Sequence, residues 1–300
     1  MVGHALRRVI PDAIFVSSKN FDLRSTEQTE TMFAMYEPEQ VIHLAAKVGG
    51  IKANMENLGD FYRDNIMINT NILESARKYK TGKVLSLLST CVYPDKVSYP
   101  LTEEQVHKGP PHQSNYAYAH AKRMLDVQSR AYREQYGCNF ITAIPNNLYG
   151  ENDNYDLEDS HVIPAIMHKM HLANQQGGSV TLWGDGSPLR EFTYSKDLAE
   201  ILLFLLEHYD DPQPINVGNT GEHSIKEVAE LIAAYVDYDK QISWDTSKPA
   251  GQLRKPSSNK RLLELGWRQS MYTDFKVSLL AACDWFTINY PNIRGGNTDG

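Results

Sequence analysis

Val84-Leu85-Ser86-Leu87-Leu88 runs straight into Ser89-Thr90-Cys91-Val92-Tyr93-Pro94, and Tyr116-Ala117-Tyr118-Ala119-His120-Ala121-Lys122 stands further on. The mostly apolar first run reads as a buried strand. The second piece reads as a helix that continues through Arg123, Met124 and Leu125. Tyr118 and Lys122 are four apart, so on a helix they share one face with Cβ atoms about 5–6 Å apart. An ammonium held that close to a phenol favours phenolate and lowers a pKa that starts near ~10. Such a tyrosine can pass a proton near neutral pH. Ser89, at the end of the strand, can sit opposite it and hydrogen-bond a substrate oxygen. Tyr116 lacks the partner, because His120 stands four residues after it.

Outward from this stretch, strands alternate with helices. Met1 to Arg8 reads as a helix with no strand before it, and Ala13-Ile14-Phe15-Val16 as a short strand. Ser25-Thr26-Glu27-Gln28 is a capping box opening a helix to about Tyr36. Val41 to Ala46 is a buried strand. Phe61 to Tyr79 is a helix with Ile68, Ile72, Leu73 and Ala76 on one face. Asn139 to Ile144 is a further strand. The alternation implies an α/β fold with a parallel, doubly wound sheet, in which ligands bind at the carboxyl ends of strands.

A dinucleotide-binding sheet opens with a strand and a Gly-rich turn into a helix, whose N–H groups and dipole hold a pyrophosphate. Only the end of such a turn stands here, with Gly3 as its last glycine. The first strand and earlier glycines of a Rossmann-type sheet are absent from the chain. The expectation is a chain whose start lies upstream, or one that has lost a strand.

After Asn146 the character changes. Asn147 to Asn154 is a polar loop, and Ser160-His161-Val162-Ile163-Pro164 opens a helix to about Leu172. Val180 to Gly186 is a strand and turn. Ser195-Lys196-Asp197 caps an apolar helix to Glu207, and Ile215-Asn216-Val217-Gly218 is a strand. Ser224-Ile225-Lys226-Glu227 caps a helix ending near Val236, and Ile242 to Phe286 reads as short elements. The division expected is residues 1–146 and about 192–217 for the dinucleotide-binding domain. A smaller α/β substrate domain takes about 147–191 and 218–300.

The net charge of -7 argues against nucleic acid as a partner, while leaving room for a local basic pocket. Three cysteines, Cys91, Cys138 and Cys283, are too few and scattered for a disulfide framework or a zinc site, so no metal is expected. No apolar run is long enough to span a membrane and no signal peptide is seen, so a cytoplasmic setting is expected. The tail from Gly295 to Gly300 reads as frayed.

The Ser89/Tyr118-x-x-x-Lys122 set resembles the short-chain dehydrogenase/reductase superfamily in its extended, sugar-nucleotide branch. Further blocks sharpen this. They are Leu44-Ala45-Ala46-Lys47-Val48-Gly49-Gly50-Ile51, Asn146-Asn147-Leu148-Tyr149-Gly150, Ser160-His161-Val162-Ile163-Pro164-Ala165, Trp183 through Phe192, and Ile215 to Gly218. Together they resemble the GDP-fucose synthase family over nearly the whole chain.

The resemblance implies NADPH as cofactor and GDP-4-keto-6-deoxy-D-mannose as substrate, inverted at C3 and C5 and then reduced at C4. A C4 ketone acidifies protons on C3 and C5, and inversion needs a base on one face and an acid on the other. In the family Cys and His do this, which here implies Cys91 and His161. A thiol near ~8.5 and an imidazole near ~6.5 titrate close enough to neutral pH for that exchange. Tyr118 would give the proton to the new hydroxyl, Lys122 would lower its pKa and hold the nicotinamide ribose, and Ser89 would polarise the carbonyl. Cofactor contacts implied are Gly3, Ser89, Lys122, Pro145, Asn146, Asn147, Leu148 and His161. Substrate contacts implied are Lys169, Trp183 and Arg190, where cations suit a diphosphate. The family's homodimer is expected as well.

Read without the family, Cys91 is a small core residue, His161 an N-terminal helix residue and Trp183 a core aromatic. His43, inside an apolar strand, reads as a satisfied core histidine. His168 and His171 read as surface, and Cys138 and Cys283 as structural. Ala250 stands where the family usually has Asp, a change worth ~1–3 kcal/mol of substrate grip if a charged hydrogen bond is gone. Two other readings stay open: a related sugar-nucleotide 4-epimerase or dehydratase, and a non-catalytic binding or partner protein lacking the phosphate turn. Thr90-Cys91 in place of an Asp-Glu pair disfavours the dehydratase.

Overall fold

A computed structural model describes residues 1–248 and 253–296. In chain order its main elements begin with α1 (Val2–Val9), α2 (Thr26–Tyr36), β1 (Gln40–His43), α3 (Ile51–Glu56), α4 (Leu58–Lys78) and β2 (Lys83–Leu87). Next come α5 (Tyr116–Tyr136), β3 (Phe140–Pro145), β4 (Asn147–Tyr149), α6 (Val162–Gln176), β5 (Val180–Trp183) and β6 (Leu189–Tyr194). The chain finishes with α7 (Ser195–His208), β7 (Ile215–Val217), β8 (Glu222–Ser224), α8 (Ile225–Tyr235), β9 (Ile242–Asp245), α9 (Lys260–Leu265) and α10 (Phe275–Asn289).

Strands β1, β2, β3 and β7 form a parallel sheet in that order. Side chains alternate across a strand, and both faces of this sheet are apolar. Val84, Phe140 and Ile144 pack with Ile72, Leu73 and Ala76 of α4 and Leu125 of α5. Leu85, Leu87, Ile141 and Ala143 pack on the other face with Leu6 of α1 and Leu198, Leu202 and Leu205 of α7. That two-sided burial is the doubly wound arrangement expected from near-continuous apolar strands. A separate core joins Ile163, Ile166 and Met170 of α6, Val228 and Ile232 of α8, Leu279 and Phe286 of α10, and Phe192 of β6. Strand β6 lies between β4 and β8 in a three-stranded sheet, and β5 pairs with β9.

Some expectations are corrected. Ala13–Val16 is not a strand: Ile14 and Val16 are exposed, and with no neighbouring ladder a four-residue apolar run has nothing to pair with. The strand from Val41 stops at His43, because buried Asn65 exchanges side-chain hydrogen bonds with the backbone of Lys47 and draws the chain onto α4. Ser25 caps α2 as expected by accepting from Gln28 N, but the Gln28 amide reaches Asp22 N instead of closing a box on Ser25. The short elements read near the end include a 15-residue helix, α10, capped by Asp274. His168 is not on the surface: it is 1% exposed and donates Nδ1–H to the Tyr155 carbonyl at 2.6 Å. His43 is the satisfied core histidine expected, with Nε2 3.0 Å from Asn69 Oδ1. Ala250 and the last four residues of the tail lie outside the described residues.

Candidate active site

Strand β2 ends at Leu87, and the chain turns at once. Ser89 is extended (φ -161, ψ 154) and caps a 3₁₀ turn, Thr90–Val92, by accepting a long hydrogen bond from Cys91 N at 3.5 Å. The turn sets Ser89 and Cys91 at the carboxyl edge of the parallel sheet, where such folds bind ligands. Arg123 pins the turn from α5, donating to Val92 O at 2.6 Å and Gly109 O at 2.7 Å. Buried Lys122 donates to Leu87 O at 2.7 Å, so the first turns of α5 are fastened to the strand end. Tyr118, one helical turn before it, meets Phe61 of α4 edge-on with ring centroids 6.5 Å apart.

The electrostatics differ from the simple Tyr-Lys picture. Burial, and then Cys91, push the Tyr118 phenol well above its ordinary value, and Lys122 does not bring it down. The Lys122 ammonium donates to Leu87 O, and among the described residues no hydrogen bond joins it to Tyr118. Burial lowers Lys122 itself to about 8, against an upward pull from Cys91. Burial also raises the Cys91 thiol, opposed by the Ser89 hydrogen bond and by Lys255, Lys122 and Arg123. The site therefore holds a protonated phenol, a protonated thiol and an amine that changes charge near neutral pH. These are groups a proton-transfer enzyme needs.

Lys255 is a member the sequence did not reveal. Its ammonium donates to Thr90 O at 3.2 Å, and burial lowers its pKa while Cys91 raises it. The segment that carries it is stitched down on both sides. Leu253 O accepts from Leu189 N, Leu101 pairs with Pro256 and Ser258, and Ser257 donates through both N and Oγ to buried Glu191. A lysine in an aperiodic Pro/Ser loop leaves no pattern for sequence reasoning to find.

The remaining expected residues stand on β5 and β6 and at or within α6. Arg190, on β6, lies within electrostatic reach of Lys255, and burial lowers its pKa. Trp183, at the end of β5, is 63% exposed with the Lys248 ammonium 5.9 Å from its ring centroid, so it is not a core aromatic. Lys169 is half-buried on α6. His161 caps α6 through its backbone while its side chain, 64% exposed, faces Asp153 at 4.0 Å. Among the described residues no hydrogen bond or ion pair joins His161 to Cys91.

Toward a dinucleotide the fit is as follows. Helix α1 has no side-chain cap at its N-terminus, leaving first-turn N–H groups for an anion. A Cβ on Gly3 would meet Leu44 at an ordinary 4.0 Å, so packing within the chain gives no reason for glycine there. The turn after Pro145 is held by Asn146, whose amide donates to Asn219 O at 2.8 Å and whose carbonyl accepts from Thr193. That side chain is committed, so Asn146 can meet a ligand only through its backbone. Asn147, exposed, donates to Glu191 O, and Leu148 follows it half-buried. Tyr118 and Lys122 supply a hydroxyl and an ammonium suited to a ribose beside the strand ends.

The profile of the NAD dependent epimerase/dehydratase family matches residues 5–218. The chain is 44% identical to the GDP-L-fucose synthase of Dictyostelium discoideum, over 98% of this chain and 94% of that one. It is 41% identical to a probable GDP-L-fucose synthase of Drosophila melanogaster, over 98% and 96%. A crystal structure of the GDP-L-fucose synthetase from Naegleria fowleri bound to NADP superposes with a TM-score of 0.92 at 38% identity, covering 98% of this chain and 92% of that one.

Proposed function

The chain belongs to the NAD dependent epimerase/dehydratase family and, within it, to the GDP-L-fucose synthases; from that premise we propose that it makes GDP-L-fucose from GDP-4-keto-6-deoxy-D-mannose. The first step is epimerisation at C3 and C5, and the second is NADPH-dependent reduction at C4. The observation that carries this is the convergence of Ser89, Cys91, Tyr118 and Lys122 where β2 ends and α5 begins.

In this reading Cys91 and His161 exchange protons with C3 and C5 from opposite faces of the ring. Each C–H bond breaks toward one group, its electrons pass to the C4 oxygen as an enolate, and the other group returns a proton. The two groups then exchange with solvent to reset. NADPH, when bound, supplies hydride for C4. Ser89 donates a hydrogen bond to the C4 oxygen, Tyr118 hands it a proton, and Lys122 reprotonates the phenolate. The protonated phenol is the state a donor must be in. Arg190, Lys169 and Trp183 hold the nucleotide diphosphate side, and Lys255 adds positive charge beside Cys91. Gly3, the Pro145–Leu148 turn and His161 border the cofactor.

The division into a dinucleotide-binding part and a smaller substrate part belongs to the same reading. So does a homodimer through the outer faces of α4 and α5, where Tyr62, Met67, Met124 and Val127 are exposed. Among the described residues no helix is long and apolar enough to cross a membrane, and we place the enzyme in the cytoplasm. The deciding experiment is incubation of the purified chain with GDP-4-keto-6-deoxy-D-mannose and NADPH, followed by chromatography. GDP-L-fucose is the expected product; its absence, with NADPH unconsumed, would end the reading.

A further inference from the structure

Asp153 carries a carboxylate that the fold does not use up. It lies in the polar loop between β4 and α6 with its side chain only 7% exposed. Oδ1 accepts from Asn154 N at 2.8 Å, and Oδ2 is buried without a hydrogen-bond partner among the described residues. A buried carboxylate left half-satisfied is costly, so its position asks for a reason. Asp156 closes the loop by accepting from Glu158 N and Asp159 N, and Asp153 Oδ1 stands 4.0 Å from His161 Nδ1. The α-amino group of Met1 and Arg294 also act on it, while burial raises its pKa and His161 opposes the rise.

The geometry points to Asp153 as the positioning residue of His161. Its carboxylate accepts the proton on Nδ1, which leaves Nε2 as the nitrogen presented to the sugar. The inference rests on the proposed acid-base role of His161. An imidazole as exposed as this one samples many rotamers, and a fixed acceptor selects the useful one. Nδ1 and Oδ1 stand 4.0 Å apart, in ion-pair range, and apo catalytic pairs commonly tighten to hydrogen-bond length only in the complex. The negative charge also offsets the positive end of the α6 dipole, where an imidazolium must form during turnover.

The test uses the full chain with NADP⁺ in place of NADPH, and follows deuterium wash-in from solvent at C3 and C5 of GDP-4-keto-6-deoxy-D-mannose by NMR. Asp153→Asn removes the negative charge and, with its carbonyl held at the Oδ1 place by Asn154 N, leaves Nδ1 only a weaker neutral acceptor. Wash-in is expected to fall about tenfold or more, with the KM for substrate and the melting temperature nearly unchanged. Asp153→Glu should recover part of the loss, and Asp153→Asn/His161→Gln should be no slower than His161→Gln alone. Full wash-in in Asp153→Asn beside a silent His161→Gln overturns the inference and leaves the assignment of His161 intact. Full wash-in in His161→Gln overturns both. Additive losses, or loss of melting temperature in step with rate, assign Asp153 to structure and overturn the inference.

Discussion

Lys122 and Leu87 are joined directly: the buried ammonium donates to the last carbonyl of β2 at 2.7 Å, and this bond seats the active-site helix on the sheet. The neighbouring phenol keeps its proton because burial, and then Cys91, raise its pKa.

Tyr118→Phe should therefore separate the two half-reactions. Reduction at C4, read as NADPH consumption, is expected to fall ~10²–10⁴-fold, the usual worth of a general acid. Deuterium wash-in at C3 and C5 should be largely kept, because Tyr118 takes no part in it. Equal loss of both would mean that Tyr118 only packs against Phe61.

Cys91 lends itself to a measurement that needs no turnover. Burial raises its thiol, and Lys255 is the first of the cations opposing the rise. Removing a cation destabilises thiolate, so Lys255→Met should move the Cys91 titration to higher pH. The rate of alkylation by iodoacetamide across pH, with Cys91→Ser subtracting Cys138 and Cys283, reads this directly. An unmoved profile would show that Lys255 is not felt at the sulfur. The same Cys91→Ser variant should lose wash-in more than reduction, since a serine hydroxyl is too weak an acid-base group.

What was legible in the sequence follows from the physics of each part. Strands β2 and β3 are buried on both faces, so their apolar runs announced them, and the Tyr118/Lys122 spacing survives in any helix. Ser89 and Cys91 were readable because they follow a strand end, a fixed place in a parallel sheet. Lys255 was not, because it reaches Thr90 from a distant loop with no period; Asp153 sits in an irregular loop, and Glu191, though on β6, is engaged by Ser257 from that distant loop. Helix α10 was missed because Val277 and Ile288 leave its outer face apolar as well, which erases the amphipathic contrast. Spacing gives the shared helix face of Tyr118 and Lys122 but not the burial that raises the phenol.

Trp183 stands 63% exposed at the end of β5. A surface aromatic contributes little to folding, so Trp183→Ala should change stability by no more than about 0.5 kcal/mol. If the ring borders the bound nucleotide sugar, KM for the substrate should rise several-fold while the KM for NADPH stays put. A large loss of melting temperature would return Trp183 to the core.

His43 gives the chain a pH-dependent stability whose sign can be worked out. Burial, then Lys122, lower its pKa from near 6.5 to about 4, while the hydrogen bond to Asn69 Oδ1 opposes the shift. Between those values the unfolded chain binds the proton more readily than the folded one, so stability rises with pH across the window. The contribution is complete above about pH 6.5 and is lost as pH falls toward 4, by roughly 3 kcal/mol. Buried Glu191 and Asp197 are raised by burial and act in the opposite sense on acidification, so the total curve mixes the two. The difference from His43→Gln, which keeps an amide for Asn69, isolates the histidine. Urea unfolding at steps from pH 7 to pH 4 should show the wild type losing about 3 kcal/mol relative to that variant. Parallel curves would mean that His43 accepts a proton in place, and that the core beneath Lys122 tolerates a second positive charge.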